Sequence, residues 1–197
     1  MSDPPVEIAE ERPADLAAYA RVPIAFEARS VLDVADGETG PELIERALDR
    51  PYLKDYDAIA GEGPATWARR FDLERWAFFV ARIDGRRIGG AAVALDPSLA
   101  GAREGDAVLW DLRVAPEARG NGVGAALFHA AVEWARSHGA RRLVAETQNV
   151  NVAACRFYAR QGCVLGAVDR LAYPSLPHEI RLLWILDLAP KHSDLVS

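Results

Sequence analysis

Cysteine, histidine and lysine are scarce in this chain, and each scarcity removes a class of function. Of 197 residues only Cys155 and Cys163 carry thiols. Two cysteines cannot make a disulfide framework, and neither sits in a CxxC or Cys/His cluster of metal-ligand spacing. The four histidines, His129, His138, His178 and His192, are scattered, so no metal is expected. Lysine occurs twice against 21 arginines, a ratio that points to codon composition rather than recognition. The formal net charge of -6 argues against a nucleic-acid partner. No apolar run approaches the roughly 20 residues of a membrane span. The opening stretch MSDPPVEIAEERPADL is acidic and lacks the basic and apolar blocks of a signal peptide. A cytoplasmic protein without a membrane partner is expected.

Half of the residues are hydrophobic, enough for one compact domain over residues 1–197. Residues 1–12 read as a tail leading into a first strand near Val6–Ile8, and residues 189–197 as a C-terminal tail. A short helix is expected from Pro13 to Arg21, a strand over Ile24–Val34, a helix over Pro41–Asp49 and a loop over Lys54–Thr66. Trp76–Ile83 and Ile88–Leu95 read as strands joined by the hairpin signal Asp84-Gly85. After a surface loop over Asp96–Asp106 come a strand (Ala107–Val114), a long helix (Gly122–His138) and a strand (Leu143–Thr147). A helix (Asn151–Gln161) and strands over Cys163–Val168 and Ile180–Leu188 complete the chain. This order implies an α/β fold: a mixed, mostly antiparallel sheet with helices on both faces.

One turn carries chemistry. Arg119-Gly120-Asn121-Gly122-Val123-Gly124 lies between a strand and a long helix. Glycines allow positive φ and let backbone approach phosphate oxygens. The helix start adds unpaired N–H groups and the positive dipole end. Arg119 adds a charge that pairs well with phosphate. The spacing GNGVG is not GxGxxG, and no GK[ST] follows, so neither a dinucleotide fold nor a P-loop is implied. Leu109-Trp110-Asp111-Leu112-Arg113-Val114-Ala115-Pro116 followed by RGNGVG resembles the acetyl-CoA motif of the GNAT superfamily, [RQ]-x-x-G-x-[GA]. The resemblance implies a splayed strand whose backbone at Leu112, Arg113 and Val114 binds the pantetheine arm. It also implies that the amides from Arg119 to Gly124 hold the pyrophosphate.

ETQNVNVAACRFYARQGC, residues 146–163, resembles the later GNAT segment N-x-x-A-x-x-[FL]-Y-x-x-x-G-F. Asn151 can cap its helix, and Asn151, Cys155 and Tyr158 share one helical face, which aims Tyr158 at the cofactor cleft. Arg156 and Arg160 fall on another face. The resemblance implies that the Tyr158 phenol protonates the departing thiolate. It implies that Glu146, twelve residues earlier, takes the amine proton; Glu146 could instead bind substrate while a water chain acts as base. Cys155 reads as filler, because no histidine is placed to activate it.

The stretches from Lys54 to Val93 and from 142 to 188 look like streptothricin acetyltransferases, GNATs that modify an amine of that antibiotic. An acceptor that is a small cationic amine would suit Asp55, Tyr56, Asp57, Trp67 and Trp76 through charge and cation–π contact. Trp76 also fits plain core, and Asp111 could hold the amine or a neighbouring arginine. Residues 1–106 carry a net -8 and residues 107–197 a net +2, which suits a cationic acceptor facing an anionic cofactor and equally an acidic surface that keeps the protein in solution. Two other readings stand beside this one: protein N-terminal or lysine acetylation, and a non-catalytic CoA-binding regulatory domain. A homodimer is compatible with all three.

Overall fold

A computed structural model describes residues 5–12, 15–59 and 61–189. Of the expected tails at 1–12 and 189–197, residues 1–4 and 190–197 lie outside the described residues, as does the expected helix start at Pro13. Seven strands form one sheet in the order β1-β4-β5-β6-β7-β9-β8, and β2 with β3 forms a separate hairpin. The strands are β1 (Glu7–Glu11), β2 (Phe26–Gly37), β3 (Gly40–Lys54), β4 (Trp76–Ile83) and β5 (Arg86–Ala94). They continue with β6 (Asp106–Val114), β7 (Arg142–Gln148), β8 (Val164–Asp169) and β9 (Arg181–Asp187). The helices are α1 (Leu16–Tyr19), α2 (Trp67–Arg70), α3 (Val123–Ser137) and α4 (Val152–Arg160). Among the described residues only the β6–β7 pair is parallel, so the sheet is mixed and mostly antiparallel as expected.

Alternation along the central strands sends side chains to two cores. Ala77, Phe79, Ala91, Val93 and Leu109 meet Leu127, Phe128 and Ala131 of α3 on one face. Trp76, Phe78, Ala92, Ala94 and Val108 meet Tyr19 of α1 and Trp67 of α2 on the other. Helices thus cover both faces. Asp84 and Gly85 both take positive φ, 50° and 73°, as a primed two-residue hairpin turn requires. Gly90 serves close approach: a Cβ there would lie 2.4 Å from the Tyr19 ring. That ring must come so near for its hydroxyl to reach β6.

The expected helix over Pro41–Asp49 is instead part of strand β3. Leu43, Ile44, Ala47 and Leu48 recur at a helical spacing, but tertiary pairing overrides it. Gly37 and Gly40 close a tight hairpin, and Val34 pairs Leu43 across it. Arg46 binds Asp33 at 2.7 Å, an opposite-charge pair across the strands. Pro51, which has no N–H to give, falls where the register shifts and no partner is needed.

Candidate active site

The two parallel strands part where the motif begins. β6 pairs with β7 only from Asp106↔Arg142 to Leu109↔Ala145. Beyond that point β6 continues to Val114, still paired on its other side to β5 through Gly90↔Arg113 and Gly89↔Val114. β7 continues to Gln148, paired to β9. Residues 110–114 and 146–148 therefore face each other across a gap. A register shift against β5 leaves Trp110 as the extra residue, so the bulge bends β6 away. Between the strands opens a cleft of about 900 Å³ that runs from the glycine turn to the loop before β9.

The glycine turn forms one end of the cleft. Gly120 and Gly122 take φ of 83° and 81°, and a Cβ on either would meet no atom within 4 Å. Their space is open, so it is the backbone conformation that requires glycine. None of the amides of residues 120–125 donates to a backbone carbonyl, and α3 starts at Val123 with no side-chain cap. Those free N–H groups at a helix N-terminus suit the pyrophosphate of acetyl-CoA. Asn121 is exposed in the turn, and Val123 is buried beneath it. The Arg119 guanidinium is spent differently from expectation: it donates to the carbonyls of Val114 at 2.9 Å and Ala25 at 2.8 Å. It thereby locks the turn to the end of β6. Arg160, exposed on a different face of α4 from Tyr158 as expected, also borders the cleft.

α4 supplies the opposite wall. The Asn151 side chain accepts from the Ala154 amide at 3.1 Å, the expected cap. Tyr158 is buried against Phe128 and Phe157, with ring centroids 6.0 and 5.2 Å away. Its hydroxyl has no hydrogen-bond partner among the described residues, yet it is not a sealed orphan and Tyr158 lines the cleft. The phenol therefore opens onto the space between the strands. Burial, reinforced by the Asp111 charge, pushes its pKa far above the usual tyrosine value, so the proton is retained at neutral pH. Burial likewise pushes the Cys163 thiol up to about 11 and raises Cys155. Neither cysteine is a ready nucleophile.

Glu146 sits on β7 just past the point of parting. Tyr173 donates to its Oε1 at 2.6 Å, and Arg181 approaches Oε2 at 3.8 Å. Gln148 donates to the Tyr173 hydroxyl at 2.8 Å, and Tyr56 donates to Gln148. This chain of hydrogen bonds fixes the carboxylate through Oε1, and Glu146 lines the cleft. Tyr173 escaped the sequence reading because its loop follows β8, 27 residues after Glu146. Lys54 and Glu179, an ion pair joining the end of β3 to the loop before β9, escaped it too.

Other expected substrate ligands are committed elsewhere. Arg113, with its side chain 1% exposed, takes Asp111 through Nε and Nη2 at 2.9 and 2.7 Å. It takes Asp57 through Nη1 at 2.7 Å. Asp111 also accepts from Tyr19 at 2.6 Å. Burial alone would weaken the Arg113 cation, but the two carboxylates outweigh it and hold its pKa above normal. Of the two roles open to Asp111, the arginine partner is the one occupied. Arg113 and Leu112 border the cleft, but what they can offer a pantetheine arm is backbone. Trp76 is core, stacked with Phe71 and Phe78 at 5.4 and 6.0 Å and absent from the cleft wall. Trp67, 2% exposed, touches the cleft but is held by its indole N–H on the Glu62 carbonyl. Asp57→Asn should therefore cost about 1.5–3 kcal/mol of stability, a melting decrease of roughly 3–12 °C, with acceptor KM largely unchanged. Thermal melts beside initial rates check this; a raised KM at unaltered Tm would return Asp57 to the substrate.

Comparison with known proteins agrees with this geometry. The Acetyltransferase (GNAT) family matches residues 43–163. Streptothricin acetyltransferase A of Bacillus subtilis is 43% identical over 142 residues, 71% of this chain and 76% of that protein. The streptothricin acetyltransferase of Streptomyces lavendulae is 30% identical over 173 residues, 88% and 89% of the two chains. The crystal structure of nourseothricin acetyltransferase superposes with a TM-score of 0.74 at 28% identity, covering 93% of this chain and 99% of that one. A Bacillus anthracis protein in complex with acetyl coenzyme A, 24% identical with a TM-score of 0.76 over 93% and 99%, shares the fold. A splayed β6–β7 pair, a glycine turn of free amides and a match over most of the motif-bearing chain lead to one conclusion: the chain belongs to the GNAT family and is an acetyl-CoA-dependent acetyltransferase.

Proposed function

We propose that this enzyme acetylates a primary amine of a small cationic acceptor of the streptothricin class, by direct attack within one cleft. The observation that carries the reading is that Glu146 and Tyr158 both line the cleft that opens between β6 and β7. Three relatives named streptothricin acetyltransferase, at 30–43% identity, support the acceptor class. The loop from Ala172 to Leu176 lines the acceptor end, and Ala100 of the 96–105 loop lines the wall, which favours a compact molecule over a protein chain.

Acetyl-CoA supplies the acetyl thioester. The free amides of residues 120–125 hold its anionic end, and the backbone of Leu112, Arg113 and Val114 on the side that has parted from β7 aligns the arm that leads to it. Glu146, held through Oε1 by Tyr173, takes a proton from the acceptor ammonium at Oε2. The new N–C bond forms as the C–S bond breaks, and the Tyr158 hydroxyl gives its proton to the sulfur; the amide nitrogen then returns its surplus proton to the Tyr158 phenolate, and Glu146 releases the first proton to solvent. With both thiols held protonated by burial, transfer goes directly to the amine rather than through the protein.

The pH profile has a defined sign. kcat/KM for the acceptor should rise with pH as the amine loses its proton. The raised Tyr158 pKa means no falling limb near the ordinary tyrosine value of 10.0. Initial rates across pH check this, and a fall assigned to Tyr158 near that value would contradict it. The acceptor class is tested by presenting acetyl-CoA with streptothricin, lysine-like amides, polyamines, neutral amines and a peptide N-terminus. Turnover confined to neutral amines or to the peptide would overturn the reading.

A further inference from the structure

We infer that the Lys54–Glu179 pair recognises an amide group of the acceptor, with an amide N–H donating to Glu179 and the amide carbonyl accepting from Lys54. This deepens the acceptor reading above and rests on it. Both residues line the acceptor end of the cleft and both are at least nine-tenths buried, at 9% and 7% exposure. Lys54 Nζ donates to Glu179 Oε1. Glu179 Oε2 is buried with no partner among the described residues.

A buried carboxylate oxygen without a donor is expensive, because its desolvation goes uncompensated. The position is not a loose surface feature. Asn149 fixes the loop end, accepting from the Ile180 amide at 2.8 Å and donating to the Leu32 carbonyl at 3.0 Å. On the other side, the Lys54 ammonium rests 5.5 Å from the Tyr56 ring centroid. The free oxygen is therefore held in place rather than turned to water.

Charge decides which donor fits. Lys54 already neutralises Glu179, so a second ammonium there would sit beside the first and be repelled. A neutral N–H avoids that cost. Lys54 carries three donors and spends one on Glu179, leaving N–H groups for an acceptor oxygen. One free acceptor beside free donors is the complement of an amide. The reacting ammonium belongs at Glu146, and the amide is a second point of hold that sets specificity.

The test compares lysinamide with lysine methyl ester, which keeps the amines and the carbonyl but has no amide N–H, alongside streptothricin. In the wild-type enzyme the amide should have the lower KM by about 10- to 100-fold, the scale of a hydrogen bond to a charged group. Glu179→Gln presents an amide where the carboxylate oxygen stood; it should erase that preference by raising the lysinamide KM to that of the ester. Should Glu179→Gln fail to melt cooperatively, Glu179→Asp withdraws the same oxygen with its charge kept, and the same loss of preference is expected. Acetylation of both lysine derivatives with equal KM, or a preference surviving in a folded variant, overturns this inference alone. Failure of the wild-type enzyme to acetylate any of the three acceptors removes the acceptor reading and this inference together.

Discussion

Gly122→Asp should lower acetyl-CoA affinity about 10³-fold while the protein stays folded. Gly122 takes φ of 81° just before α3, and nothing lies within 4 Å of where its Cβ would be. Aspartate tolerates this left-handed conformation better than most residues, so the fold should survive. Its carboxylate would stand at the mouth of the anion site. Two unit charges about 4 Å apart near a protein surface repel by about 4 kcal/mol, which is about 10³-fold in affinity. Gly122→Asn, similar in shape and backbone tolerance but uncharged, should lose much less. Calorimetric titration with CoA measures both, and an unchanged affinity in folded Gly122→Asp would remove the pyrophosphate from this turn.

Tyr158→Phe should lower kcat by about 10²–10⁴-fold with little change in the acetyl-CoA KM. The ring packs against Phe128 and Phe157, and phenylalanine keeps that packing. What is lost is a hydroxyl that has no hydrogen-bond partner among the described residues and opens onto the cleft. Removing it orphans nothing in the core, so stability should change little, unlike most buried polar deletions. Steady-state kinetics with a melt on the same sample separate the two effects. Full activity would reduce Tyr158 to a packing aromatic.

What the sequence discloses of this site is what is contiguous in the chain. The glycine turn, the Asn151 cap and the face carrying Tyr158 each follow from neighbours within a few residues, where backbone geometry alone restricts the side chains. The strands β4 to β7 are likewise written in local alternation and in the Asp84-Gly85 turn. Pairings across long separations are not written locally. Arg113 reaches Asp57, 56 positions away, and Lys54 reaches Glu179, 125 positions away. Asp57 therefore reads as a carboxylate free for a substrate, and Asp111 as one open to the amine or to an arginine, although the arginine two residues from Asp111 claims both. Trp76 drew attention as an aromatic near acidic residues, but strand alternation turns it into the second core. The helix expected over Pro41–Asp49 failed for a related reason. Leu43, Ile44, Ala47 and Leu48 carry a helical phase, whereas the partner strand that overrides it lies across a turn. That turn, Asp36-Gly37-Glu38-Thr39-Gly40, was a readable hairpin signal. Arg119 kept its place but changed its task, because the carbonyls of Val114 and Ala25 come within reach only once the turn is folded.

The central claim is that one cleft between the parted strands delivers the acetyl group of acetyl-CoA straight to an amine. Mass spectrometry of a reaction containing the enzyme, acetyl-CoA and streptothricin, with free thiol counted in parallel, tests it most directly. The account predicts one acetyl group on an amine of the acceptor for each CoA thiol released, and none on the protein at any time. Thiol release without acetylated acceptor, or an acetyl group lodged on Cys155 or Cys163 before it reaches the amine, would contradict it.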